Sequence, residues 1–255
     1  MSKISEQLSK LGHVERSGFG FGTKSVSTKI PVILVGVEEA ELGKVAQKSV
    51  DFAILSNLPK ELTGDSKSDI DIPVGVSVTA KTEVEKIFES QVDFVVIAAD
   101  DAPGSALKDN ELGKGYVVQG ELNEDRAKAV DSGPFDFVVV DGTNLSLPLS
   151  VGEAFSLQET IQPYSRHIAL RVAIAPGKDD LELLRDMGVS ALLFAAGISE
   201  STLSELRGKI DQIEPRKSRN NASAVIPSIN DRSGARPGDV EPDHDHDHDE
   251  DDDWE

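Results

Sequence analysis

The sequence predicts a (β/α)₈ TIM barrel, an α/β fold of eight parallel strands, and three observations carry that prediction. Short apolar runs recur through the middle of the chain, separated by polar or helix-patterned stretches. The runs are apolar on both faces, as strands buried in a parallel sheet are. Eight of them fall between residues 30 and 213, the number that closes such a barrel. An open doubly wound sheet shares the alternation. Its dinucleotide-binding form would carry G-x-G-x-x-G after the first run, where this chain has GVEEAELG.

The repeating unit is clearest over residues 167–204. Residues 167–175 form a short apolar run, and Pro176-Gly177 turns the chain. Leu181, Leu184 and Met187 then fall on one helical face. Gly188 stands where a C-terminal cap needs a left-handed residue, and residues 189–195 are apolar again. Two short strands joined by one helix must run parallel, because the crossover returns the chain to the same end. By the same patterning, earlier strands are expected at 30–35, 50–55, 72–78, 92–98, 115–119 and 135–140. Helices are expected at 38–48, 82–90, 123–132, 148–161 and 199–213, with a weak one at 102–112. Pro148 suits a first helical turn. Residues 56–71 are polar, contain Pro59 and Gly64, and leave room for little or no helix.

The barrel so delimited spans 30–213, with a lead-in at 1–29 and a tail at 214–255. In the lead-in, Ile4, Leu8 and Leu11 have the spacing of a short amphipathic helix. SGFGFGTKS follows; a phosphate loop opening at Gly18 would need Gly where Thr23 stands, so Phe19 and Phe21 read instead as a cover for one end of the core. The tail is rich in Pro, Ser, Asn and Asp and is expected to be disordered, with AVIPSI at 224–229 as a short anchor.

Of the formal net charge of −20, eleven acidic residues lie between Asp239 and Glu255, which leaves −9 for the rest. A body of that sign does not bind nucleic acid nonspecifically. The absence of cysteine excludes disulfides, thiolate metal sites and a cysteine nucleophile. No signal-peptide core and no apolar run of membrane-spanning length occurs, so no membrane association and a cytoplasmic location are expected.

Three passages resemble indole-3-glycerol phosphate synthase and its phosphate-binding barrel relatives: IPVGVSVTA, GKGYVVQGELNEDRAKAVDSGPFDFVVVDGTNL and RVAIAPGKDDLELLRDMGVSALLFAAGI. The resemblance extends over about 100 of the 255 residues. It implies the barrel fold without the synthase's catalytic residues. The family's strand 3 lysine falls on Ser77, its strand 5 glutamate on Gln119 and its strand 6 asparagine on Asp141. Strand 1, where the family has Glu and Lys, reads PVILVGV, and its strand 7 Ser-Gly falls on Ala175-Pro176. Gly197, Ile198 and Ser199 stand where the family's last phosphate-binding turn opens a helix. Free backbone N–H groups there suit a phosphate, and Ser199 or Ser201 suits an ordinary N-cap.

If the barrel closes, the polar residues after each strand face one mouth: Ser56, Asn57, Ser77, Lys81, Asp100, Asp101, Gln119, Glu121, Asp141, Thr143 and Asn144. Asp100, Asp141, Lys81 and Arg171 are the catalytic candidates. Asp100 and Asp141 end alternate strands, where two carboxylates could share acid–base work or Mg²⁺; equally, acids open helices because the dipole favours them there. Arg171 is in phase with Ala169 and Ala173. Turned inward, it would need Asp141 or Asp100 as a partner, or an anionic ligand; turned outward, its stem would lie beneath a helix. In the tail, His244, His246 and His248 alternate with Asp, a pattern suited to a divalent metal such as Zn²⁺ or Ni²⁺ or, without one, to a solvated acidic segment that contacts a basic protein. His13 and His167 read as structural.

Two functions fit. One is a catalytically degenerate barrel serving as a scaffold or interaction protein, with the acidic tail as its contact element. The other is an enzyme or binder of a small phosphorylated metabolite held at the mouth near Gly197–Ser199.

Overall fold

The computed structural model describes residues 2–11, 31–39, 41, 43, 45, 49–62, 70–108, 111–120 and 122–215. His13, the Gly-Phe segment at 18–21, most of the helix expected at 38–48, Glu121, and the tail from 216 with His244, His246 and His248 lie outside these residues.

The eight apolar runs form β1 (Leu34–Glu39), β2 (Phe52–Leu55), β3 (Val74–Val78), β4 (Phe94–Ile97), β5 (Gly113–Val117), β6 (Phe137–Asp141), β7 (His167–Val172) and β8 (Val189–Phe194). Each pairs in parallel with its sequence neighbour, and β8 closes onto β1, so the sheet is a barrel in the order of the chain. Among the described residues six helices accompany it: α1 (Lys3–Lys10), α2 (Val84–Phe88), α3 (Glu124–Asp131), α4 (Val151–Ile161), α5 (Lys178–Met187) and α6 (Glu200–Ile210). Single 3₁₀ turns at Lys60–Leu62 and Gly104–Leu107 stand after β2 and β4. The outer apolar layer joins one face of every strand to helix residues such as Val84, Leu157, Leu181 and Leu206.

The inside of the barrel is built by one repeated exchange. Gly36 of β1 lies opposite Phe52 of β2, Gly75 of β3 opposite Phe94 of β4, and Gly115 of β5 opposite Phe137 of β6. A Cβ on Gly36, Gly75 or Gly115 would sit 2.3, 2.2 or 2.4 Å from the facing ring, closer than carbon atoms can approach. The odd strands omit a side chain so that the even strands can insert a ring. Successive rings meet edge to face, with centroids 6.1 and 5.9 Å apart, a favourable arrangement for aromatic quadrupoles.

The residue before each ring is also repeated: Val50-Asp51-Phe52, Val92-Asp93-Phe94, Phe135-Asp136-Phe137. Asp51 accepts the N–H of Val35 at 2.7 Å and Asp136 that of Lys114 at 2.8 Å, pinning the start of the preceding strand. Asp93 instead accepts the N–H groups of Lys3 and Ile4, at 2.6 and 2.8 Å. These are orphan donors of a helix N-terminus, where a carboxylate is also favoured by the dipole. The bond seats α1 so that Ile4 and Leu8 join the interior cluster and Leu11 packs beside it, as their spacing predicts. The fourth pair departs from the pattern. Ala169 faces Ala191, preceded by Ser190, whose hydroxyl lies 3.2 Å from His167 Nδ1. Burial holds this imidazole below its usual pKa, in keeping with a structural histidine.

Several boundaries differ from expectation by two residues or more, and the departures at β1, β5 and α4 have a visible cause. β1 runs to Glu39 rather than ending at Val35. Gly36 looks like a breaker and the two acids like a helix start, but the glycine accommodates a ring and the acids have partners. β5 begins at Gly113, two residues early, for a similar reason: its glycines lie within the strand, against Ser2 and Ile4 at one end and Phe137 at the other. Pro148 is not in the first turn of α4; Ser150 is the N-cap, in a capping box with Glu153. The weak helix after β4 is only the 3₁₀ turn. Gly188 does end α5 with φ +100°.

Two outcomes test this account. Gly75→Ala should cost about 1–3 kcal/mol, the price of overpacking a filled core, and Phe94→Leu in the same chain should recover part of it; denaturant unfolding reads both. Hydrogen bonds from Ser150 and Ser146 hold the Glu153 carboxyl down at about 2. Its contribution is therefore complete above the ordinary value of 4.5 and is lost as pH falls towards 2. Glu153→Gln should flatten the pH dependence of stability across that window.

Candidate functional site

The mouth at the C-terminal ends of the strands follows from the same alternation. Positions two beyond Gly36, Gly75 and Ala169 face inward, which puts Glu38, Ser77 and Arg171 on the inner face. Asp141 is the register partner of Arg171. Below them Ile54, Val96, Val139 and Leu193 belong to the interior cluster and form an apolar floor.

Arg171 points inward, as its phase with Ala169 suggested, but its partner is neither Asp141 nor Asp100. Its Nε and Nη2 both donate to Glu38 Oε1, at 3.0 and 2.6 Å. The pair spans the mouth from β7 to β1 across β8, and the two side chains are 28% and 29% exposed. Strand 1 therefore does bring an acid to the mouth, contrary to the reading of PVILVGV. Partial burial makes each partner costly to leave alone.

Asp141 keeps its own bonds. Thr143 donates to Oδ1 from its backbone N–H at 2.9 Å and from its hydroxyl at 2.7 Å. These two bonds, then the positive charge of Arg171, hold the carboxyl below its usual range. Asp100 does not meet Asp141. It turns to the outer side of the sheet, where Tyr116 Oη and Arg126 Nη2 each donate to its Oδ1 at 2.6 Å. The Tyr116 bond is the main cause of its lowered pKa. Lys81 is exposed in the turn before α2. Gln119 donates to the carbonyl of Ala98 at 2.6 Å.

The turn at Gly197–Ser199 has a partner from within the chain. The Gly197 N–H donates to Glu39 Oε1 at 3.3 Å, and Glu39 is only 7% exposed. Ser199 Oγ accepts from the N–H of Thr202 at 3.1 Å and caps α6; Ile198 packs against the outer apolar layer. The N-cap role foreseen for Ser199 is thus filled, and one anion-attracting N–H faces a resident carboxylate.

Glu38 and Glu39 are the residues that sequence reasoning missed. A signal was there: Val35-Gly36-Val37 repeats Val74-Gly75-Val76. Aligning the two would have extended strand 1 and set Glu38 beside Ser77. Among the described residues no group of three or more His, Asp or Glu is placed to hold a metal ion, and no helix is long and apolar enough to cross a membrane.

No protein-family model matches this chain, and no curated protein matches it in sequence. Solved structures do. KGPDC from Streptococcus mutans, in a ligand complex, is 10% identical, with a TM-score of 0.50 over 71% of this chain and 99% of that one. The 3-keto-L-gulonate-6-phosphate decarboxylase of Vibrio cholerae O1 is also 10% identical, with a TM-score of 0.50 over 70% of this chain and 97% of its own. The tryptophan synthase alpha-subunit of Pyrococcus furiosus follows at 11% identity and a TM-score of 0.47, over 71% and 97%. At such identities the likeness is one of fold.

The ion pair yields a direct test. Glu38→Gln or Arg171→Met alone should each lower stability by about 1–3 kcal/mol, because a charged hydrogen-bond partner is left unmatched. The double variant should lose less than the sum of the two. Strictly additive losses in denaturant unfolding would mean that the two side chains act independently.

Proposed function

We propose that this chain is a catalytically degenerate (β/α)₈ barrel that works by interaction rather than turnover. It serves as a scaffold whose acidic C-terminal stretch contacts a basic protein partner. The single observation that supports this reading is the internal pairing of the mouth. Arg171 is taken by Glu38, and the Gly197 N–H by Glu39. A phosphorylated ligand entering near Gly197–Ser199 would have to displace a resident carboxylate from each.

The positions that match the synthase's acid and base supply no proton carrier either. General acid–base work needs a group poised near the working pH and within reach of substrate. Ser77 and Gln119 do not titrate there, and Asp141 is held ionised by Thr143 and Arg171, which makes it a weak base.

The competing reading, a binder of a small phosphorylated metabolite, is decided by thermal shift on the full chain. Inorganic phosphate, a panel of sugar phosphates and flavin mononucleotide serve as additives, with Zn²⁺ in a separate series for the tail histidines. A ligand at 100 times its Kd adds about 2.7 kcal/mol, a rise of a few degrees for a chain of this size. The expected result is no rise with any phosphorylated compound. A rise of that size with one of them would overturn the scaffold reading and put a live site in the mouth.

A further inference from the structure

The large apolar side chains left in water are not scattered over the barrel. Among the described residues five are exposed, and four of them belong to two neighbouring units, β6–α4 and β7–α5: Val151, Phe155, Ile174 and Leu183. A bond from the Leu149 N–H to Asp180, at 2.8 Å, ties these units together where α4 and α5 begin. Val151 and Phe155, one turn apart on α4, are 71% and 66% exposed, the highest values of the five. Leu157 and Ile161 are the buried residues that hold the other side of α4 to the barrel. Exposed apolar surface gathered in one place marks an interaction site, and nothing in the function proposed above uses this one.

Gly152 lies beside Phe155 and differs from the glycines inside the barrel. A Cβ there would meet nothing nearer than Ser150 Oγ, at 4.0 Å. No ring of this chain requires the missing side chain, and glycine is a poor helix former. The helix thus turns to solvent a ring and, three residues before it, a notch. A patch on which knob and hole stand side by side is self-complementary, as the interface of a two-fold dimer must be. With a second copy's α4 antiparallel and the axis between residues 153 and 154, Phe155 of each copy meets Gly152 of the other. Gly152, Phe155 and Glu159 are three and four residues apart, the spacing of a seam between two helices.

Charge agrees with this direction. α4 has no Lys or Arg. Antiparallel packing carries Glu159 towards the N-terminal end of the second copy's helix, where the dipole favours an acid. Glu153, the other acid of α4, is turned back onto the N–H groups of Ser146 and Ser150. Size makes the association weak. One helix face falls short of the roughly 800 Å² per partner of a standard interface. The net charge of −20 on each copy opposes pairing until salt screens the repulsion.

We propose that two copies of the chain pair through α4, antiparallel, with Phe155 of each seated on Gly152 of the other. Sedimentation of the full chain across a concentration series tests this. The mass should rise from one chain towards two, and at lower concentration in about 0.5 M NaCl than in about 0.05 M. Phe155→Ala should raise the dimer Kd about tenfold or more, the loss of a central aromatic anchor. Gly152→Phe should do the same by blocking the notch. The chain carrying both changes exchanges ring and notch, so each ring again faces a small residue and most of the lost affinity should return. Both positions are exposed, and all three variants should keep the parent's circular dichroism. A chain that stays single up to about 1 mM in high salt would overturn the proposal and leave the surface to a foreign partner. So would a dimer that ignores both single changes, or a double variant that pairs no better than either single one.

Discussion

The structure depends on a steric exchange inside the barrel. Three phenyl rings share a space that could not hold them if the facing residues had side chains. Gly36, Gly75 and Gly115 are there because Phe52, Phe94 and Phe137 are. Each glycine costs backbone entropy in a strand, and that cost is offset by a buried ring packed at full density. The aspartate before each ring then fixes a neighbouring backbone, so the same short pattern sets both the packing and the start of the strands. α1 belongs to this arrangement, since its first turn is held by the middle aspartate of the three.

With the interior filled, chemistry can occur only at the rim, and the rim is occupied by the chain's own charges. A salt bridge in this position resembles a filled binding site: a guanidinium with a carboxylate already on it. The turn before α6 repeats the idea with a backbone N–H in place of the guanidinium. Both carboxylates come from adjacent residues of β1, and the strand's alternation sends one inward and the other outward. Two neighbouring acids thereby satisfy two distinct donors.

The fold was legible because its signals are periodic and redundant. Eight apolar runs survive an error of several residues at any one of them, and the spacing of Ile4, Leu8 and Leu11 needs no tertiary knowledge. The site was legible only where a residue's own strand announced it. Arg171 stands out as a charge among small apolar neighbours, and its phase left the inward direction it takes as one of two open readings. Its partner could not be read at all, because Glu38 lies 133 residues away in a stretch whose local pattern favours a helix start. A carboxylate is tolerated in a strand end when a cation meets it, and that meeting is a tertiary fact. Asp100 failed in the opposite sense: its position after β4 implies the mouth, but Tyr116 and Arg126 draw it to the outer face.

The fourth strand pair breaks the regularity of the other three. Where they have Gly against Phe, β7 and β8 have Ala against Ala, and it is on this side that Arg171, Asp141 and Glu38 gather. On the opposite side, β3 and β5 bring the uncharged Ser77 and Gln119 to the inner face. Among the described inward-facing residues of the mouth, the charged ones therefore stand together on the β6–β7–β1 side. The break in the Gly–Phe repeat thus falls on the side of the barrel where the one charged cluster of the inner face is built.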